Sequence, residues 1–280
     1  MNLLFSRNED LTRLELKGSE FNKVRSLLYD YCGIDMHEGK EALVKARLLK
    51  RIRKLKLGSF KEYFEFIEQD EAGAEFLSLV DVLTTNKTSF FRESAHFDYI
   101  RSEIIPNITD QQVTWWSAGC SSGEEPISWA ITYLEERQRA GFTGSARILA
   151  TDISNIVLQK AKYGSYSAEH VCELPEFLRK KYFKKDPSDP QMYQVTDQVR
   201  SMIRYARLNL KDPWPMKGPF HIIMCRNVMI YFNRATQEKL IERFHKLLAP
   251  GGYLFLGHSE SISGSHPGLV SVRPAAYRKK

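Results

Sequence analysis

The sequence predicts an α/β protein: a small all-helical part leads into a parallel sheet that carries a small antiparallel insertion. Three observations predict it. Apolar residues up to about Leu83 recur at helical spacing with almost no strand signal. From Val113 onward, short apolar runs alternate with helical patterns. Between Tyr163 and Arg200 that alternation stops, and a Pro-Ser-Asp-Pro turn at Pro187–Pro190 separates two aromatic-containing runs. The expected division is a helical domain over residues 1–83 and a sheet domain over 84–280, with the insertion at about 163–202.

In the helical part Phe21, Val24, Leu27 and Leu28 mark one helix, and Val44, Leu48, Ile52 and Leu55 make a cleaner stripe on a second. Phe60, Phe64 and Ile67 follow the Gly58 break, and Phe76, Leu79, Val80 and Leu83 mark a fourth. The expected strands of the sheet are Val113–Ser117, Arg147–Thr151, Ile203–Ala206, Pro219–Cys225 and Tyr253–Leu256, with a last one near Ala275–Arg278. Helices are expected over Pro126–Ala140, Ile156–Lys162 and Arg234–Leu248, and Pro250-Gly251-Gly252 reads as the stop of the last. Tyr182-Phe183 and Met192–Val195, on either side of the turn, read as a hairpin.

The first strand empties into Ala118-Gly119-Cys120-Ser121-Ser122-Gly123-Glu124-Glu125-Pro126. Small residues let backbone approach a ligand closely, and Pro126 suits the first turn of a helix. A helix start after a glycine loop normally attracts phosphate. Glu124 and Glu125 would repel a diphosphate there, so the loop suits a ligand with hydroxyls or positive charge, such as S-adenosylmethionine. One βα step on, Arg147–Thr151 ends in Asp152, where nucleotide-binding sheets place an acid against ribose hydroxyls. Ser154 is available to cap the following helix instead. The run Pro219–Cys225 ends in Arg226-Asn227, and Asn209-Leu210 follow the preceding strand at the same carboxyl edge. In Thr84–Glu93 the polar Asn86, Thr88 and Arg92 alternate with Phe90 and Phe91; periodicity alone reads this as a helix cap followed by core aromatics.

Composition narrows the class. The chain has 280 residues, 42% hydrophobic and 27% charged, with a net charge of +7, so an acidic partner is plausible. No apolar run approaches spanning length, and Met1–Arg7 is too short and polar for a signal peptide, which points to the cytoplasm. The four cysteines, Cys32, Cys120, Cys172 and Cys225, form no CxxC pair, and the seven histidines show no ligand spacing. The scattered cysteines argue for reduced thiols and against a zinc site, and the histidines add no metal-ligand pattern.

Several blocks together carry a resemblance. They are Thr-Asn-x-Thr-x-Phe-Phe-Arg at Thr85–Arg92, Ser-x-Gly-Glu-Glu-Pro at Ser121–Pro126, Asp152, Asn209-Leu210, Cys-Arg-Asn-Val-Met-Ile-Tyr-Phe at Cys225–Phe232 and Gly-His-Ser-Glu-Ser at Gly257–Ser261. In order and spacing the chain resembles the chemotaxis receptor glutamate O-methyltransferases, the CheR family, over nearly its whole length. The resemblance implies a small helical domain joined to a Rossmann-like class I methyltransferase sheet with a small antiparallel β-subdomain. It implies that Asn86, Thr88, Arg92, Glu125, Asp152, Asn209, Leu210, Arg226 and Asn227 contact S-adenosylmethionine or its product S-adenosylhomocysteine. Either Glu124 or Glu125 fits that role, with Glu125 preferred. Arg92 and Tyr231 would lie nearest the transferred methyl, and no metal is implied. In some family members the β-subdomain grips a tethering peptide at the receptor C-terminus through a glycine-containing loop; the turn here, Asp186–Pro190, has no glycine.

The implied partner is the cytoplasmic helical domain of chemoreceptors, with a monomeric enzyme. Arg47, Lys50, Arg51 and Lys54 fall at i, i+3, i+4 and i+7, read as opposite the Val44/Leu48/Ile52/Leu55 stripe, with Arg53 and Lys56 on the flanks. A solvated face is the usual meaning of such a run, and no aromatic interleaving or recognised motif supports nucleic acid. The resemblance makes this the receptor-binding helix, steered onto acidic receptor helices. His258 reads as a loop brace, since methyl transfer to a carboxylate needs no imidazole base. The rival from another class is a serine hydrolase. Gly119–Gly123 matches the nucleophile-elbow pattern, and Asp212 and His258 follow Ser121 in the required order, yet the elbow would belong in mid-sheet.

Overall fold

The structure, a computed structural model, describes residues 13–108, 111–141, 143–264 and 266–280; the segment Met1–Arg7 weighed above as a signal peptide lies outside them. The chain divides into two compact units, Met1–Thr85 and Asn86–Lys280.

The described part of the first unit is built on four helices: α1 (Gly18–Cys32), α2 (Glu41–Leu55), α3 (Phe60–Gln69) and α4 (Ala74–Leu83). The stripes read from the sequence pack inward, with Val24, Leu28, Val44, Leu48, Ile52, Phe60, Phe64, Leu79 and Val80 buried, and Tyr63 joins them. Each such side chain contributes about 1.5–3 kcal/mol on leaving water. Helix α2 ends at Leu55 with Lys56 left-handed after it, and Ser59, just past Gly58, starts the next, its hydroxyl accepting the Glu62 amide.

The basic face of α2 is not uniformly solvated, which corrects the sequence expectation. Arg51 donates to the buried Glu75 on α4, with Nε 2.8 Å from Oε1, and the Tyr63 hydroxyl donates to the same oxygen at 2.8 Å. Arg47 donates to the carbonyls of Leu83 and Thr84 at 2.7 and 3.1 Å. Positions 47 and 51 follow Val44 by one and two turns, so they flank the apolar stripe and staple α2 to both ends of α4, Arg51 at its first turn and Arg47 at its last. Lys50, Arg53 and Lys54 remain exposed.

The second unit is built on a seven-stranded sheet of order β6-β2-β1-β7-β8-β10-β9. Its strands are β1 (Gln112–Ala118), β2 (Ser145–Asp152), β6 (Ile203–Arg207), β7 (Phe220–Cys225), β8 (Leu248–Leu256), β9 (Leu269–Arg273) and β10 (Ala276–Lys279). The first five are mutually parallel, and β10 and β9 close the edge antiparallel. Helix α5 (Ser94–Tyr99) continues through a π turn and a 3-10 turn to Asn107 before β1. Crossovers are made by α6 (Glu124–Ala140), α7 (Asn155–Tyr163) and α11 (Arg234–Leu247).

Two adjacent tryptophans on β1 show how one strand serves two layers. Trp115 meets Trp129 of α6 at 5.0 Å, while Trp116 meets Trp214 at 4.8 Å and Phe244 of α11 at 5.3 Å. Alternate residues of a strand face opposite sides, so the pair anchors helices to both faces of the sheet.

Between β2 and β6 sits the insertion. It holds β3 (Ser165–Ser167), α8 (Ala168–Cys172), α9 (Glu176–Tyr182), β4 (Phe183–Lys185), β5 (Met192–Val195) and α10 (Asp197–Arg200), and its strands form an antiparallel sheet of order β3-β5-β4. The glycine-free turn is held by its acids: Asp186 accepts the Ser188 amide and Asp189 the Gln191 amide, both at 2.9 Å.

Two details differ from expectation. Pro250-Gly251-Gly252 does not follow the helix directly; α11 ends at Leu247, and β8 runs through the tripeptide with its register to β7 slipping between Phe220 and Ile222. Proline disfavours the helical region for the residue before it, and Gly251 takes a positive φ of 72°, so these residues build an irregularity in a strand. Strand β9 was not anticipated, because most of its residues face solvent and leave no apolar run.

Candidate functional site

In the second unit, loops gather at the carboxyl ends of β1, β2 and β7. The peptide after β1 turns back on β2, with the Gly119 and Cys120 amides donating to the Thr151 carbonyl at 2.8 and 2.9 Å. Gly119 has a φ of 96°, and a Cβ there would lie 2.4 Å from the Val228 side chain. Only glycine lets the β1 and β7 loops approach so closely.

Asp152, at the end of β2, is buried and accepts the Ser121 amide at 2.8 Å and the Ser154 amide at 3.0 Å. Ser154 caps α7, as read from the sequence. The Ser121 hydroxyl donates to the Asn86 carbonyl at 2.8 Å. Asn86, Ser121 and Asp152 are therefore linked in series, which ties the start of the 86–93 segment to the glycine loop.

The other end of that segment is tied by Arg226, whose side chain is 1% exposed. Its guanidinium donates to Glu93 Oε2 at 2.9 Å, to Glu125 Oε2 at 3.2 Å and to the Arg92 carbonyl, and it lies 5.7 Å from the Phe97 ring centroid. Glu125 also accepts the Ser117 hydroxyl at 2.7 Å. Glu93 Oε1 accepts the Asn227 side-chain amide at 3.3 Å and the His258 amide at 3.2 Å. Arg92, Glu125, Arg226 and Asn227 thus meet around one buried cation. The Arg92 guanidinium itself turns back to the Lys87 carbonyl at 2.9 Å. Thr88 lies half-buried between these ends.

The Thr84–Glu93 block is not a helix start, because α5 begins only at Ser94. Phe91 and Glu93 are left-handed, with φ of 51° and 55°. Ser121 and Asn227, with φ of 50° and 57°, complete a set of four strained non-glycine residues on the loops of one edge. Each costs of order 1–3 kcal/mol, and strain of this kind gathers at functional sites.

Asn209 and Leu210 sit beside Asp152, since the Leu208 amide donates to the Asp152 carbonyl at 3.0 Å. The Asn209 side chain forms its own turn, accepting the Lys211 amide at 3.1 Å and donating to Asp212 at 3.2 Å. The Leu210 carbonyl accepts Arg243 at 2.6 Å. Tyr231 ends the 3-10 turn Met229–Tyr231 and is half-buried.

Sequence reasoning assigned no role to Glu93, Ser117 or Glu260. Glu260 is buried and accepts the amides of Asn227 at 2.8 Å, Ile230 at 3.0 Å and Gly257 at 2.5 Å, so one carboxylate clamps the β7 and β8 loops together. It lay inside the quoted Gly-His-Ser-Glu-Ser block, which was the available signal. Glu93 stands next to Arg92, and only folding brings it to Arg226.

Burial and charge together set the titration of these acids. Burial pushes Glu125 above the usual carboxylate range, and Arg226 with the Ser117 hydroxyl compensates incompletely. Burial acts on Glu93 in the same sense, but Arg226 and the bonds from His258 and Asn227 outweigh it and hold Glu93 low. His96, buried beneath them, is pushed down to about 4 by burial and the charge of Arg226, so it is neutral near pH 7.

The hydrolase trio does not assemble. Ser121 bonds Asn86, Asp212 bonds Asn209, and the exposed His258 packs against His96 at 5.1 Å with Nε2 3.9 Å from Glu93. The histidines, read as without ligand spacing, do gather in two groups by folding: Glu93/His96/His258 and Glu242/His245/His266, each with ligand atoms within 4.8 Å. Glu93 is already held by Arg226. In the second group the Gly268 amide donates to His266 Nδ1 at 3.1 Å, which leaves the ring proton on Nε2 facing Glu242 at 3.0 Å.

A parallel sheet whose switch-point loops carry acids and amides defines a nucleoside-binding domain of the methyltransferase kind. Residues 86–277 match the family description "CheR methyltransferase, SAM binding domain", and residues 19–84 match "CheR methyltransferase, all-alpha domain". The chain belongs to the CheR methyltransferase family. It is 34% identical to a chemotaxis protein methyltransferase of Borreliella burgdorferi over 98% of this chain and 99% of that one. It is 39% identical to chemotaxis protein methyltransferase 2 of Pseudomonas aeruginosa over 92% of each, and 36% identical to the Escherichia coli protein over 90% of this chain and 87% of that one. Among the described residues no helix is long and apolar enough to cross a membrane.

Proposed function

We propose that the chain transfers a methyl group from S-adenosylmethionine to glutamate side-chain carboxylates of chemoreceptors, leaving methyl esters and S-adenosylhomocysteine. One observation carries the cofactor half of this reading. Glu124, Glu125 and Asp152 gather on and beside the glycine loop, and among the described residues the buried guanidinium that meets them is that of Arg226. Acids in excess favour a cation and oppose phosphate. Such a donor set fits a sulfonium nucleoside, with Asp152 toward ribose hydroxyls and Asn86, Thr88, Arg92, Glu125, Asn209, Leu210, Arg226 and Asn227 lining the remainder. The receptor half rests on the names of the relatives.

When bound, the cofactor supplies a sulfonium-activated methyl group. The acceptor glutamate needs no base, since a carboxylate with an ordinary pKa of about 4.3 is ionised near pH 7. What remains for the protein is alignment, which can supply roughly 7–11 kcal/mol. Arg226 seats the 86–93 segment. Arg92 uses one nitrogen on Lys87 and presents the others to an incoming carboxylate, and Tyr231 orients it through its hydroxyl. Lys50, Arg53 and Lys54 on α2 form the steering surface toward acidic receptor helices, with Arg47 and Arg51 setting the pose of that helix. Incubation with radiolabelled S-adenosylmethionine and receptor-containing membranes tests the reading. Base-labile label on the receptor is expected, and label that resists base would overturn ester formation.

A further inference from the structure

We propose that Tyr166, on the small antiparallel sheet, is a positioning residue for the glycine loop, so that cofactor affinity depends on a part of the fold outside the main sheet. The inference rests on the reading of that loop as the cofactor's seat. Tyr166 is 6% exposed, and its hydroxyl donates to the Ser122 carbonyl at 2.7 Å. The Ser122 hydroxyl in turn donates to the Glu124 carboxylate, at 3.0 Å to Oε1 and 2.7 Å to Oε2. This draws the first of the paired acids away from Arg226, leaving it 3% exposed. Glu125 and Glu124 therefore divide the work: one faces the arginine, the other holds the loop toward the small sheet.

Space around the loop is closed from the same side. Gly123 has a φ of 100°, and a Cβ there would lie 2.9 Å from the Tyr166 hydroxyl and 3.0 Å from that of Tyr205. The Tyr166 ring also meets Phe90 edge-on at 5.0 Å, within the segment that carries Asn86, Thr88 and Arg92. A single side chain from β3 thus touches both loop blocks, one by hydrogen bond and one by ring contact. Burial pushes its hydroxyl far above its usual titration range, so it stays a donor at every working pH.

The test removes that hydroxyl alone and compares it with a matched control. Tyr182 belongs to the same insertion and is 1% exposed, but its hydroxyl donates to Glu135 at 2.6 Å and not to the loop. Tyr166→Phe leaves the Ser122 carbonyl unpaired, and calorimetry should show S-adenosylhomocysteine binding weakened about tenfold. KM for S-adenosylmethionine should rise in parallel, with kcat at saturation and receptor KM within about twofold of native. Tyr182→Phe should bind the product as native does. Binding by Tyr166→Phe within about twofold of native, or equal losses in both variants, would overturn the proposal. A native protein that fails to bind S-adenosylhomocysteine would instead refute the cofactor reading, and this inference with it.

Discussion

Arg51 and Arg226 each meet buried carboxylate, but in different arithmetic. In the helical unit one arginine faces one acid, Glu75, with Tyr63 completing the acid's bonds. In the sheet unit one arginine faces two acids, Glu93 and Glu125; burial keeps Glu125 raised despite that arginine, and the nearby backbone is strained. A closed pair satisfies itself and holds helices together. An open one keeps unspent electrostatic capacity for a ligand, and the difference separates scaffold from site.

The sharpest way to break the comparison is to delete each cation. Arg226→Met leaves two half-buried acids facing each other without a cation, so the sheet unit should lose about 3 kcal/mol in denaturant unfolding. S-adenosylhomocysteine binding should become undetectable by calorimetry. Arg51→Met should cost about 3 kcal/mol with product binding unchanged. Adding Glu75→Leu should restore most of that loss, to within about 1–2 kcal/mol of native, since an apolar pair can replace a closed ion pair. Neutralising Glu93 or Glu125 beside Arg226→Met should likewise recover stability but not S-adenosylhomocysteine binding, because the ligand needs the charge.

Acid titration sharpens it further. Glu93 is held low, so its contribution is complete above the ordinary carboxylate range of about 4.3 and is lost as pH falls through its lower folded value. The stability gap between native protein and Glu93→Gln should therefore be widest above about pH 5 and shrink toward acid. Glu125 is raised, so its ionisation opposes folding as pH rises through about 4.3 toward its folded value. Glu125→Gln should be at least as stable as native at pH 7 while binding S-adenosylhomocysteine more weakly, a trade typical of functional positions. The smallest effect on stability belongs to the exposed cations. Lys50→Glu, Arg53→Glu and Lys54→Glu together should change it by about 0.5 kcal/mol or less, yet raise KM for receptor.

Much of this was legible in the sequence where pattern is local. The apolar stripes of α1 to α4, the strand β1 with its glycine loop and the serine cap at Ser154 follow from spacing alone. The Pro250-Gly251-Gly252 tripeptide misled because turn chemistry also serves strand irregularities. Arg47 and Arg51 looked solvated because a helical wheel shows where a side chain points and not how far a long one reaches. The site was legible as a set of loops but not as a network: Glu93 and Arg226 are 133 residues apart, and no pattern announces their pairing.

Several amides on the rim of the sheet are held by acids and not by peptide oxygens: Ser121 by Asp152, Asn227, Ile230 and Gly257 by Glu260, and His258 by Glu93. A protonated carboxyl is a poorer acceptor than a carboxylate. Replacing Asp152, Glu260 or Glu93 by its neutral amide should accordingly accelerate deuterium uptake at the amides it holds relative to the strands beneath, giving the rim an isotopic signature that a spectrometer can read without any ligand.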